Sequence, residues 1–277
     1  MPCADCFKGH DHPGPYEGEI ETLHGLDVYV AKPRLTQSER KSVIVVLSDM
    51  FGWDTTNLRR LSDICAERTG CVVYVPDFMH GTSAPASMKP VLDQIANEGG
   101  LWGWMRKPWL ILKIVWTIVP FMMRNSPEKR FPGVLQFIDK LRCSQERESK
   151  LGVVGFCWGG YGVTQLAHGG LARNGRTLID AAYTAHPSEL KVPEHIVGIK
   201  LPYSMIVGDV DFALSLNDAK QSAEILEKNA DVPSEIVIIP GAKHGFAVRY
   251  DPDNKAEIEM ADQAEDQMVR WFAHHLN

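Results

Sequence analysis

The residues able to do chemistry in this chain stand in one order: a cysteine in a glycine-rich turn, then a pair of aspartates, then a histidine in a second glycine-rich loop. The apolar run Leu151-Gly152-Val153-Val154-Gly155 leads into Phe156-Cys157-Trp158-Gly159-Gly160-Tyr161-Gly162. This is the strand-turn-helix pattern G-x-S-x-G that exposes a nucleophile on a strained turn, with Cys in place of Ser. Gly155 and Gly159 let neighbouring backbone approach where a Cβ would clash. A helix starting at Trp158 would aim free N–H groups and a positive dipole end at the sulfur, favouring the thiolate and binding an oxyanion. A buried structural cysteine beside a Gly-rich turn is the plainer reading of that segment alone.

Two further loops add to it. Gly208-Asp209-Val210-Asp211 follows the apolar run Tyr203–Gly208, and Pro240-Gly241-Ala242-Lys243-His244-Gly245-Phe246 follows Glu235–Ile239. The order Cys157, Asp209 or Asp211, then His244 is the nucleophile–acid–histidine order of α/β-hydrolases, not the Cys, His, Asn order of papain-like proteases. The chemistry such a set performs is acyl transfer in two halves through a thioester. A thiolate is itself a good leaving group, so cysteine suits esters whose own leaving group is good, such as enol lactones.

These residues need elements to position them. Short β-branched runs read as strands at Leu26–Ala31, Val43–Ser48, Val72–Pro76, Leu151–Gly155, Ile179–Thr184, Tyr203–Gly208 and Glu235–Ile239. Amphipathic stretches between them read as helices at Asn57–Thr69, Pro132–Arg142, Ala213–Asn229 and Lys255–His274. The alternation implies an α/β fold with a mainly parallel central sheet and helices on both faces. Cys157, the aspartates and His244 each fall just beyond a strand, where open α/β sheets build their sites. Without repeats or long linkers, residues 21–277 read as one domain after an irregular lead-in, 1–20.

Composition narrows the class. The 277 residues carry 29 Lys+Arg against 35 Asp+Glu, a net charge of −6, which argues against a nucleic-acid or anionic-membrane surface. Trp109 to Met123 is strongly apolar but too short for a span of about 20 residues, and Lys113 and Pro120 interrupt it. With Trp102, Trp104, Trp109 and Trp116 it reads as a lid-like insertion around 99–125 that roofs an apolar pocket, or as a homodimer contact. The polar start MPCADCFKGHDH has no apolar signal segment, so the six cysteines read as free thiols of a cytoplasmic protein. Cys65, Cys71 and Cys143 look like small packing residues. Cys3-x-x-Cys6 with His10 and His12 has zinc-ligand types but no second half, so no metal is expected there. His80 and His186 sit in loops after strands, His168 reads as structural, and His274 and His275 read as solvent-facing.

The chain resembles the dienelactone hydrolase family, especially its fungal-type members. The resemblance rests on GFCWGG, GDVD, HGFAVR and VVLSDMFGWD, with VYVPDF and AHPS in support, and spans roughly residues 20 to 275. It implies an α/β-hydrolase fold and a cofactor-free Cys-His-Asp triad opening lactones and activated esters. Carried over residue by residue, Cys157 is the nucleophile, His244 the base and Asp211, last in G-x-x-D, the acid. Backbone N–H groups of Met50 and Trp158 form the oxyanion hole. Bacterial members carry a thiol-modulating Glu where this chain has the shorter Asp49, and they hold a substrate carboxylate with arginines. Arg249 is a candidate for that carboxylate, although not at the bacterial position. Phe51, Trp53 and His80 join Asp49 and Arg249 as expected substrate contacts. The expected partner is a small-molecule lactone or ester, in aromatic catabolism or secondary metabolism. The rival readings are a biosynthetic cyclase, isomerase or acyl transferase on the same fold, and a non-catalytic ligand-binding protein.

Overall fold

Strands with apolar residues at every position can exist only between two covering layers, and that is how the β-rich runs of this chain are used. The computed structural model describes residues 15–34, 42–85, 115–116 and 118–276. Its strands are β1 (Glu19–Leu23), β2 (Leu26–Ala31), β3 (Val43–Leu47), β4 (Val72–Pro76), β5 (Leu151–Phe156), β6 (Ala181–Ala185), β7 (Tyr203–Gly208) and β8 (Ser234–Ile239). They form one sheet in the order β1-β2-β4-β3-β5-β6-β7-β8. β1 and β2 pair antiparallel, as do β2 and β4, and every pairing from β4 to β8 is parallel. The mainly parallel α/β architecture expected from the alternation is therefore present.

The helices are α1 (Thr56–Thr69), α2 (Pro127–Ser144), α3 (Gly159–Ala167), the single turn α4 (Glu194–Val197), α5 (Leu216–Glu227) and α6 (Lys255–His275). Alternate residues of each strand feed opposite cores. Val43, Val45 and Leu47 pack with Phe137, Ile138 and Leu141 of α2 and Val163 and Leu166 of α3. Ile44 and Val46 pack on the other face with Leu58 of α1 and Met268 and Phe272 of α6.

Differences from the sequence expectation have local causes. β1 was not expected, and residues 19 and 20 of the supposed lead-in begin it. Its four leading residues are exposed and two are Glu, so it lacks the apolar alternation that marks a strand. It is an edge strand, and charge protects such an edge. Helix α2 begins at Pro127, not Pro132. Pro127 takes the first helical turn, where a missing N–H costs nothing, and Pro132 is carried inside. β6 starts two residues late because Asp180 is occupied otherwise: its carboxylate accepts from Leu151 N at 2.7 Å and pairs with buried Arg142 at 2.8 Å. Of the insertion around 99–125, residues 115, 116 and 118–125 are described and lie in helix. Ile118 and Phe121 are buried, whereas Trp116 and Met123 are exposed. The rest of the insertion, and Cys3 and Cys6, lie outside the described residues.

Candidate active site

The sheet reverses its winding between β3 and β5: the chain moves one way from β3 to β4 and the other way from β5 onward. At such a switch point the loops beyond adjacent strand ends diverge and leave a crevice. Cys157 follows β5 at that point. Its φ is +51°, in the left-handed region that a non-glycine residue enters at a cost of about 1–3 kcal/mol. Three backbone hydrogen bonds hold it there: Cys157 N to Ala185 O at 3.3 Å, Gly160 N to Cys157 O at 3.0 Å, and Ser188 N to Cys157 O at 2.9 Å. The elbow is also crowded. A Cβ on Gly159 would lie 2.2 Å from Leu47 O, and one on Gly155 would lie 2.6 Å from Gly159 O.

His244 sits in the loop beyond β8 and is 3% exposed. Its Nδ1 lies 2.9 and 3.0 Å from the two carboxylate oxygens of Asp211, in the loop beyond β7. Asp211 is itself steadied by Ala213 N at 2.8 Å. The neighbouring Asp209 faces elsewhere, accepting from Gly241 N at 2.7 Å, and so ties the β7 loop to the turn that carries His244. Burial alone would pull the His244 pKa down. The negative charge of the Cys157 sulfur and the Asp211 carboxylate outweigh it, raising His244 from 6.5 to about 9. The structure thus brings Cys157, His244 and Asp211 together from three loops at the same edge of the sheet.

A second imidazole lies against the first. His186, fully buried just beyond β6, has its ring centroid 5.1 Å from that of His244. Burial, then the fields of His244 and Arg249, hold it well below the usual histidine range, so it stays neutral. Among the described residues neither of its ring nitrogens has a partner. Its loop position gave no sign of this burial.

A cleft of about 250 Å³ opens over the sulfur, lined among the described residues by Met50, Phe121, Trp158, Leu190 and Phe212. Met122, Asn125, Ser188 and Glu189 also face it. The Trp158 indole N–H donates to Asn125 O at 2.6 Å, linking the elbow to the described end of the insertion. Among the described residues no acceptor takes the backbone N–H of Met50 or of Trp158. Ser188, whose Oγ is 3.8 Å from the Cys157 sulfur, and Phe212, 4.8 Å from the His244 ring, were not singled out by their sequence context. Their position beyond β6 and β7 was the available signal.

Residues 26–276 match the dienelactone hydrolase family. The chain belongs to that family. It is a carboxylic ester hydrolase, with lactones and esters as its substrate class. Relatives include hydrolase pyvD of Aspergillus violaceofuscus, 27% identical over 99% of this chain and 97% of that protein. The human carboxymethylenebutenolidase homolog is 24% identical over 99% of this chain and 98% of its own length. The fold is shared with a putative dienelactone hydrolase from Klebsiella pneumoniae, TM-score 0.63 at 17% identity, covering 94% of this chain and 99% of that one.

Against the family pattern, the expected substrate contacts are placed differently. Asp49 and Arg249 form an ion pair with side chains only 6% and 3% exposed, and Asp49 also accepts from Phe51 N at 2.9 Å. Phe51 is buried beneath the Arg249 guanidinium, 5.3 Å from its ring centre. Trp53 packs toward the other core, with Arg59 5.0 Å over its ring, because the chain turns at Gly52 (φ +93°) toward α1. His80 is exposed in the loop beyond β4. None of these five is among the described residues lining the cleft. Cys65 and Cys71 are buried as expected, but Cys143 is exposed, because it falls on the outward side of α2. His168 bonds His195 O at 2.7 Å. Among the described residues no cluster of metal-ligand types occurs, and no helix is long and apolar enough to cross a membrane.

Proposed function

We propose that this family member is a cysteine-dependent hydrolase of lactones or activated esters that works through a thioester. The observation carrying the reading is the arrangement of Cys157, on a positive-φ elbow, with a His244 that couples to its sulfur and is gripped at Nδ1 by Asp211. His244 Nε2 takes the thiol proton, and the thiolate attacks the acyl carbon. The oxyanion is received by the N–H groups of Met50 and Trp158, and one such donor is worth about 3–4 kcal/mol where it has been removed from a protease. Collapse breaks the acyl C–O bond, and the departing oxygen takes the proton back from His244. Water then gives a proton to His244 and its oxygen to the thioester carbon, releasing the acid and returning the thiol. Asp211 keeps the imidazole in the tautomer and orientation this sequence needs.

A lactone tests this directly. Ring opening loses no atoms, so trapped acyl-enzyme should be heavier by the full mass of the lactone, with the adduct on the Cys157 peptide. Cys157→Ala should show neither adduct nor turnover. Wild-type turnover by folded Cys157→Ala would overturn the reading.

A further inference from the structure

We infer that the acyl body this enzyme accepts is uncharged and apolar, and that Glu189 at the cleft mouth selects against substrates carrying a carboxylate. The inference deepens the cysteine-hydrolase reading above and rests on it. Met50, Phe121, Met122, Trp158, Leu190 and Phe212 give the cleft an apolar wall, and no lysine or arginine is among its described lining residues. Along that described wall an anionic substrate would meet no counter-charge to offset the cost of shedding its water.

Three described cations near the cleft are not among its lining residues and have partners of their own. Arg249 is paired with Asp49 and 3% exposed in its side chain. Its Nε and Nη2 have no acceptor among the described residues, but Nη2 stands 2.3 Å from where a Cβ on Gly245 would be. That edge of the guanidinium lies against Gly245, and Arg249 is not among the described residues lining the cleft. Arg130 donates to Asn125 Oδ1 at 2.9 Å and also to Met79 O and Thr82 Oγ1, behind the cleft wall. Lys129 donates to Met123 O at 2.6 Å.

Among the described lining residues one carries a charge, and it is negative. Glu189 lines the cleft, follows the serine whose hydroxyl approaches the Cys157 sulfur, and is exposed. Among the described residues it has no ion pair. Its φ of +60° is one that glycine or asparagine would adopt more cheaply, yet a carboxylate stands there. A substrate carboxylate bound in the cleft would meet this like charge, and the repulsion, being near solvent, is screened by salt.

The test compares two esters with one leaving group, 4-nitrophenyl butanoate and the 4-nitrophenyl hemi-ester of succinate, with spontaneous hydrolysis subtracted. kcat/KM should favour the neutral ester by about tenfold or more at low salt. Glu189→Gln should raise the anionic-to-neutral ratio about threefold, and half-molar salt should do the same in the wild type only. An anionic ester used as well as the neutral one, or a gap that neither change moves, would overturn the inference. Calorimetry on Cys157→Ala with the corresponding methyl ketones carries the same comparison without chemistry. Turnover failing in the wild type would therefore sink the hydrolase reading, whereas equal binding of the two ketones would sink this one.

Discussion

Replacing Asp49 by Asn would leave the Arg249 guanidinium buried without its counter-ion while changing almost no volume. The amide oxygen can still accept from Phe51 N, now 2.9 Å from Asp49 Oδ1, so the loop after β3 keeps that constraint and only the charge is lost. Arg249 cannot shed its proton to relieve the defect, and at 3% side-chain exposure water cannot reach it without local opening. Removing one partner of a buried ion pair typically costs about 3–5 kcal/mol. In a chain of this size that lowers Tm by about 10 °C. Arg249→Met should cost a similar amount at neutral pH, but by a different route, because the orphaned Asp49 can take up a proton. Burial raises its pKa above that of the unfolded chain. The penalty is then present above the raised value and shrinks as pH falls below it. The double variant should recover most of the loss, giving a large coupling energy. Urea unfolding of all four proteins, at neutral and mildly acidic pH, measures it. Single variants within about 1 kcal/mol of the wild type that simply add would refute the claim that this buried pair holds the β3 loop to the β8 loop.

The proposed triad carries further expectations. Asp211→Asn keeps the shape of the side chain 2.9 Å from His244 Nδ1 but removes the charge, and should lower kcat/KM by about 10²–10⁴ in an ester assay with little change in KM. Because His244 is raised to about 9, its ring proton resonances should titrate near that value and move to lower pH in Cys157→Ala. By linkage, the stability contributed by a histidine raised in this way is full below pH 6.5 and is lost as pH rises through about 9. A titration that ignores the Cys157 substitution would contradict the assignment of the sulfur as its partner. Gly159→Ala would press a Cβ to 2.2 Å from Leu47 O, a backbone atom that cannot swing aside. Soluble, fully active Gly159→Ala would contradict the packing described for the elbow.

The part of this structure that was legible in the sequence is the part governed by local pattern. β-branched runs gave β2, β4 and β7 at their observed limits, and the glycine spacing around Cys157 marked a turn that only close backbone approach explains. What was not legible is what depends on which elements become neighbours. Glu19–Leu23 has no apolar alternation and is a strand only because β2 offers it an edge. Arg249 looked available to a substrate, and nothing local says that Asp49, 200 positions earlier, neutralises it. Cys143 looked like a packing residue, but the register of α2 turns it outward.

The lateral order of the strands explains why the chemical residues could be found before their partners could. Met50 and Cys157 are separated by more than a hundred positions, yet Met50 lies three residues beyond the end of β3 and Cys157 one beyond the end of β5, strands paired from Val43↔Leu151 to Leu47↔Gly155. Parallel pairing makes every strand end at the same edge, so any residue just past a β-rich run is delivered to one rim. A sequence therefore shows membership of the rim. It does not show which rim residues face each other, because that depends on the switch in winding between β3 and β5. Asp209 and Asp211 make the distinction concrete. Both lie on the rim two positions apart, but the turn after β7 sends one to Gly241 N and the other to His244. Exchanging their roles would require moving β8 relative to β7, whose pairing from Tyr203↔Ser234 to Gly208↔Ile239 fixes the height of the histidine loop. Asp209→Asn, which removes only a charge that holds Gly241 N at 2.7 Å, should accordingly cost far less activity than Asp211→Asn. Equal losses of kcat/KM in the two variants would show that the charge near the rim matters and its contact with His244 does not.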